Sequence, residues 1–213
     1  MSEAAGKIAE TLMSGKIDEV KKITQEALDN GVDPRDIVDN GLIAGMDIVG
    51  QRWKANEMFI PEVLRCAKAM GAGMEIVRPK LSDSDTSGTG VMVIGTVEGD
   101  LHDIGKDLVA MMFEGAGFKV VNIGIDQPSQ KFVDAVKEHK PQLLGISALL
   151  TTTMPKMGEV INALKEAGIR DQVKIMVGGA PVTEDYAEEI GADGYGANAA
   201  HAVERGKELV RAA

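Results

Sequence analysis

The chain has 213 residues, with 23 basic against 33 acidic, a formal net charge of −10 and no apolar run near the roughly 20 residues that span a bilayer. That charge has the wrong sign for gripping phosphate backbones, and 3 % aromatic residues are too few for a base-stacking platform, so neither nucleic acid nor a membrane is expected as a partner. One cysteine, Cys66, excludes an intrachain disulfide framework and a multi-thiolate metal site, and the opening MSEAAGKIAE lacks the layout of a secretory signal, which points to the cytoplasm.

Residues 1–80 carry a helical grammar throughout. Ala5, Ile8, Ala9, Leu12 and Met13 recur at helical spacing, as do Val20, Ile23, Ala27 and Leu28. Asp33-Pro34 offers an N-cap followed by proline in the first turn, and a third stripe runs from Ile37 through Leu42 and Val49 to Trp53. A fourth helix opens at Pro61 and carries Val63, Leu64, Ala67 and Met70, completing a four-helix bundle. Residues 81–90, LSDSDTSGTG, are polar and aperiodic and read as a linker. From 91 to 213 the pattern alternates. Buried strands are predicted at Val91–Thr96, Lys119–Gly124, Gln142–Ser147, Val173–Val177 and Gly194–Gly196, with helices between them and after the last. The fold class is therefore α/β: an N-terminal four-helix bundle cap and a C-terminal doubly wound, flavodoxin-like domain with a five-stranded parallel sheet.

In open α/β sheets ligands bind beyond the carboxyl ends of the strands. Those ends carry Val97 to Gly105 (VEGDLHDIG), Ser147 to Thr153 (SALLTTT), Gly178 to Pro181 (GGAP) and Gly196 to Ala199 (GANA). Each segment also has a plain structural reading: Asp100 as a helix cap, the hydroxyl run as caps before Pro155, the glycine pair as a tight turn. A P-loop fails, because Asp100 and Asp107 stand where it needs glycine and Ser/Thr around Gly105-Lys106. A serine-hydrolase elbow at Gly145–Leu149 lacks its last glycine, although Asp, His and Ser are all present and keep that class open. His139 and His201 lie in helical patterns without partners at zinc-ligand spacing.

Taken together, Asp100-x-His102-x-x-Gly105, Ser147-x-Leu149 and Gly178-Gly179 resemble the signature of cobalamin-binding proteins. The stretch Gly45–Gly50 followed by Glu57–Val63 is similar to the helical cap of the methyl-carrying members, so nearly the whole chain resembles the corrinoid proteins of methyltransferase systems and the cobalamin module of methionine synthase. The resemblance implies a cobalamin bound base-off, with His102 as lower ligand to cobalt, Asp100 on its second nitrogen, and Thr153 closing the relay where the family has serine. It places Gly99, Asp103, Ile104 and Gly105 against the cofactor and sends the nucleotide tail into a slot lined by Ser147, Leu149, Thr151, Gly178 and Gly179, with Ala199 close by. Trp53, Ile60 and Val63 match the apolar residues of the cap over the methyl face, though Trp53 stands where methionine synthase has phenylalanine.

The implied function is a methyl-carrier subunit, not a complete enzyme by itself, in which the cofactor cycles between cob(I)alamin and methylcobalamin. Its implied partners are a substrate:corrinoid methyltransferase, a methylcorrinoid:tetrahydrofolate or thiol methyltransferase, and a reductive activator. The methyl donor stays open among methylamines, quaternary amines, methanol and methoxyarenes. A mutase subunit shares the signature but is expected to lack the cap. A cobalamin-responsive sensor would carry a basic DNA-binding face that is missing from the N-terminal half.

Overall fold

The computed structural model describes residues 2–81 and 89–211, so most of the linker expected at 81–90 lies outside the described residues. The chain divides into two compact units, Met1–Gly88 with Glu114–Gly117, and Thr89–Phe113 with Phe118–Ala213. Among the described residues no helix is long and apolar enough to cross a membrane.

In the first unit, α1 (Glu3–Met13), α2 (Ile17–Asp29) and α5 (Ile60–Val77) pack with a continuous helical rod formed by α3 (Pro34–Asp36), a π-helical stretch at Ile37–Ile43, and α4 (Ala44–Lys54). The stripes read from the sequence supply its core: Ile8, Leu12, Val20, Ile37, Leu42, Val49 and Val63 have no exposed surface. Asp33 caps the rod by accepting the Arg35 amide at 2.9 Å. The fourth helix starts one residue before the expected Pro61, with Glu62 accepting the Phe59 amide at 2.9 Å. The π turn was not anticipated from periodicity. Its wider turn directs Ile37, Val38, Gly41 and Leu42 inward together. Gly41 and Gly45 let α1 approach closely, since a Cβ would stand 3.2 Å from the Ile8 side chain at the first and 3.1 Å from the Ala9 Cα at the second.

The N-terminus is tied into this unit by one carboxylate. Ser2 caps α1 through the Ala5 amide at 3.1 Å, the Ser2 amide donates to Asp36 at 2.9 Å, and Asn40 donates to Asp36 at 2.7 Å. The Ser2 hydroxyl, the Asn40 amide and the Ser2 backbone hold the Asp36 pKa at about 2, below its ordinary 3.8.

In the second unit β1 (Gly90–Thr96), β2 (Phe118–Asn122), β3 (Leu143–Ser147), β4 (Lys174–Gly178) and β5 (Gly194–Gly196) alternate with α6 (Ile104–Gly115), α7 (Ser129–His139), α8 (Pro155–Glu166), α9 (Glu184–Ile190) and α10 (Ala199–Arg211). The sheet is parallel throughout, in the order β2-β1-β3-β4-β5. Successive strand side chains point to opposite faces. Val93, Leu144, Ile146, Ile175 and Val177 therefore pack with Phe132, Val136, Met157 and Val160 of α7 and α8. Met92, Ile94, Leu143 and Met176 alternate with them and are equally buried. Burial on both faces explains why these strands read as continuous apolar runs. Thr96 pairs with Ser147, Ser147 with Gly178, and Gly178 with Gly196, so four strands end level at their carboxyl termini.

The Asp36 tie generates a pH test. Its carboxyl is depressed on folding, so its contribution is complete above pH 3.8 and lost as the pH falls towards about 2. The amides of Ser2 and Ala5 are expected to lose exchange protection over that window ahead of the rest of the helix. Asp36→Asn is expected to abolish the pH dependence, as followed by NMR-detected hydrogen exchange.

Candidate functional site

The sheet order reverses direction between β1 and β3, the switch point beyond which open α/β sheets have their binding crevice, and the loops leaving the two strands meet there at Asp100. Asp100 lies in the β1 loop with 0 % exposure. Its Oδ1 accepts the His102 amide at 3.1 Å and faces the His102 Nδ1 at 2.7 Å. Its Oδ2 accepts the amides of Leu149 at 2.7 Å and Leu150 at 3.2 Å, together with the Thr153 hydroxyl at 2.7 Å. Thr153 Oγ1 also lies 2.9 Å from the Leu150 carbonyl. It has one proton, and the shorter contact to an ionised acceptor assigns that proton to Asp100.

Burial alone pushes the Asp100 carboxyl up. The Thr153 hydroxyl, the Leu149 amide, and the ring and amide of His102 outweigh it and hold the group well below the usual carboxylate range. An ionised carboxylate only accepts, so Nδ1 of His102 carries its proton and Nε2 of the neutral ring keeps a free lone pair. The His102 side chain is 49 % exposed, and the Thr96 hydroxyl fixes its backbone by donating to the His102 carbonyl at 3.0 Å. Asp100 is thus not a cap of α6. Its carboxylate joins two loops and orients an imidazole.

Around this pair lies an apolar rim. Leu101 and Ile104, next to His102 in the chain, are 67 % and 86 % exposed, and Leu149 and Leu150, whose amides hold Asp100, are also exposed. Large apolar side chains exposed beside a buried carboxylate and the half-exposed imidazole it orients mark a binding surface. Leu101 and Leu150 escaped the sequence analysis. Their only signal was an apolar residue in an otherwise polar loop and a second leucine in the hydroxyl-rich one.

The remaining expected residues fall as follows. Asp103 and Gly105 are exposed at the start of α6, and Gly99 precedes Asp100. Ser147 is half-buried at the end of β3, beside Gly178, and Thr151 is exposed in the following loop. Gly179 is demanded by the chain itself: its φ is +139°, and a Cβ would lie 1.8 Å from the Ala148 carbonyl oxygen. Gly105 has no such neighbour within 4 Å. Ala199, at the start of α10, is buried. Trp53, Ile60 and Val63 belong to the helical unit, where Trp53 is half-buried, Ile60 exposed and Val63 wholly inside the core. Among the described residues, no group of three or more His, Cys, Asp or Glu side chains could hold a metal ion.

Residues 90–204 match a family model described as a B12 binding domain, and residues 4–78 match a second model of the same description. The chain is 50 % identical over 186 residues to trimethylamine corrinoid protein 1 of Methanosarcina acetivorans, covering 86 % of each. It is 44 % identical over 209 residues to dimethylamine corrinoid protein 1 of Methanosarcina mazei, covering 98 % of this chain and 96 % of that protein. Its structure resembles a chain of the methanol:cobalamin methyltransferase complex MtaBC from Methanosarcina barkeri, with a TM-score of 0.89, 33 % identity, and coverage of 100 % of this chain and 81 % of that one.

Two substitutions separate glycines required by packing from glycines that leave open space. Gly179→Ala is expected to cost about 2–4 kcal/mol in urea unfolding, because the blocking atom is backbone. Gly105→Ala is expected to leave the stability of the free protein within about 1 kcal/mol of the parent, or to raise it through better helix propensity.

Proposed function

The chain belongs to the B12-binding domain family, and from that premise we propose that it is a corrinoid methyl carrier, holding cobalamin base-off on His102 and passing a methyl group between two methyltransferases. The observation that carries the assignment of His102 is the saturated Asp100 carboxylate, which fixes Nδ1 as the protonated nitrogen and leaves Nε2 of a half-exposed side chain without a hydrogen bond among the described residues. An imidazole nitrogen suits cobalt, and a carboxylate behind it is the usual second-sphere support. A single protein ligand fits a metal that arrives with its other ligands already in a macrocycle. When bound, the cobalt supplies the chemistry of accepting and donating the methyl group.

The chain's own residues bind and orient. Asp100 holds the His102 ring in one tautomer and one orientation. Thr153 keeps Asp100 aimed at the ring while bonding its far oxygen. Leu101, Ile104, Leu149 and Leu150 would offer apolar surface to a bound corrin and limit water beside His102. Ser147, Leu149, Thr151, Gly178 and Gly179 lie at or just beyond the level strand ends and form the slot for the nucleotide tail, with Gly99, Asp103 and Gly105 on its histidine side.

The partners that follow are a substrate-specific corrinoid methyltransferase on one side and a methylcorrinoid:tetrahydrofolate or thiol methyltransferase on the other, with a reductive activator. Identity to trimethylamine and dimethylamine corrinoid proteins supports a methylated amine as the methyl source. The match of residues 4–78 to a B12-binding model supports a carrier over a mutase subunit. Among the described residues no hydrogen bond joins the Ser147 hydroxyl to His102, which weighs against a serine hydrolase.

In the cob(II)alamin form, electron paramagnetic resonance should show nitrogen coupling from one histidine, and His102→Ala should remove it. Coupling that survives this substitution refutes the ligand. Asp100→Asn should keep corrinoid uptake while weakening histidine ligation about tenfold. That moves the Co(II)/Co(I) midpoint about 60 mV more positive in redox titration. Gly105→Ala should reduce corrinoid uptake several-fold in equilibrium dialysis while the free protein stays as stable as the parent.

A further inference from the structure

The turn between β2 and α7 runs beside the loop that carries Asp100 and His102, and one residue of it grips that loop twice. Asp126 Oδ1 accepts the Gly99 amide at 2.7 Å, and the Asp126 amide donates to the Asp100 carbonyl at 3.1 Å. Next to it the Gln127 amide donates to the Thr96 carbonyl at 3.0 Å, extending the sheet register beyond β2. Asp126 adopts a φ of +53° and Gly99 one of +80°, so both chains turn left-handed where they meet. For a residue with a side chain that conformation is unfavourable and persists where the surroundings impose it.

The turn is also fastened at its root. Asn122 Oδ1 accepts the Gly124 amide at 3.0 Å and the Lys106 ammonium at 2.9 Å, while its Nδ2 donates to Asp107 at 2.9 Å. Lys106, buried on α6, bonds Asp107 as well. The turn is therefore pinned to α6 at one end and to the histidine loop at the other. The backbone of Asp100 is held from both sides, by its amide on the Val97 carbonyl at 3.2 Å and by Asp126 on its own carbonyl.

We propose that Asp126 is a positioning residue for His102: its carboxylate and amide lock Gly99 and Asp100, and so fix the direction in which the Asp100–His102 pair presents Nε2. This rests on the assignment of His102 as cobalt ligand. Among the described residues Asp126 makes no hydrogen bond to the His102 ring, and it acts through the backbone to which Asp100 belongs.

Three forms of the full chain test it. Asp126→Gly keeps the left-handed backbone and removes the acceptor, and Asp126→Asn keeps an acceptor and tolerates the same φ. In the free protein, the Gly99 and His102 amides are expected to exchange about tenfold faster in Asp126→Gly, with Asp126→Asn within about twofold of the parent. In the cob(II)alamin-loaded protein, isotope-labelled imidazole, whose nitrogen splitting is distinct from that of His102, should displace the histidine at about tenfold lower concentration in Asp126→Gly. Unchanged exchange at His102 together with unchanged imidazole displacement in Asp126→Gly overturns the proposal alone. Absence of histidine coupling in the parent overturns it together with the ligand assignment.

Discussion

A carboxylate with no exposed surface must find inside the protein the donors it gave up in water, and Asp100 finds them on both sides of a crevice. Five contacts converge on its two oxygens, three of them from the loop after β3 and two from His102. Removing a buried charge from its partners is far more costly than forming any one of the bonds, so the two loops and the carboxylate hold one another in place. Everything the site presents depends on that. The bonds from Leu149, Leu150 and Thr153 occupy one oxygen, the imidazole takes the other, and its second nitrogen is left outward.

The sheet makes this convergence possible. Because β1, β3, β4 and β5 end level, the loops after them begin from one line, and the reversal of strand order opens the crevice between β1 and β3. The packing that builds the line is indifferent to any ligand. Gly179 must be glycine to pass the Ala148 carbonyl, and Gly41 and Gly45 do comparable work between helices of the other unit. A glycine in this chain is thus not by itself a sign of a binding surface, and the open space at Gly105 is the more informative case.

The apolar rim and the buried carboxylate divide the labour of the site. Polar groups set the orientation of one ring, while Leu101, Ile104, Leu149 and Leu150 provide area without direction. Large apolar side chains gathered at the surface beside the imidazole mark the place where a ligand is covered.

The amino-acid sequence by itself determined the alternation of strands and helices, the helical first half and the strand ends at which chemistry gathers, because period and burial are local properties that each segment carries within itself. Asp100, His102, Ser147 and Gly178 were singled out by their resemblance to the cobalamin-binding signature, in the segments that follow the predicted strands or at their ends. The relay from His102 through Asp100 to Thr153 is implied by the resemblance, but only the tertiary structure revealed the backbone bonds that hold Asp100 to the second loop, because the donors at Leu149 and Leu150 are amides about 50 residues away and have no residue-type signal. The π turn at Ile37–Ile43 and the left-handed Asp126 escaped for a related reason: each is a backbone conformation set by what packs against it. Side-chain periodicity records which face is buried. It does not record which distant peptide group a buried charge will meet, since that depends on how the strands are ordered and how their ends are aligned.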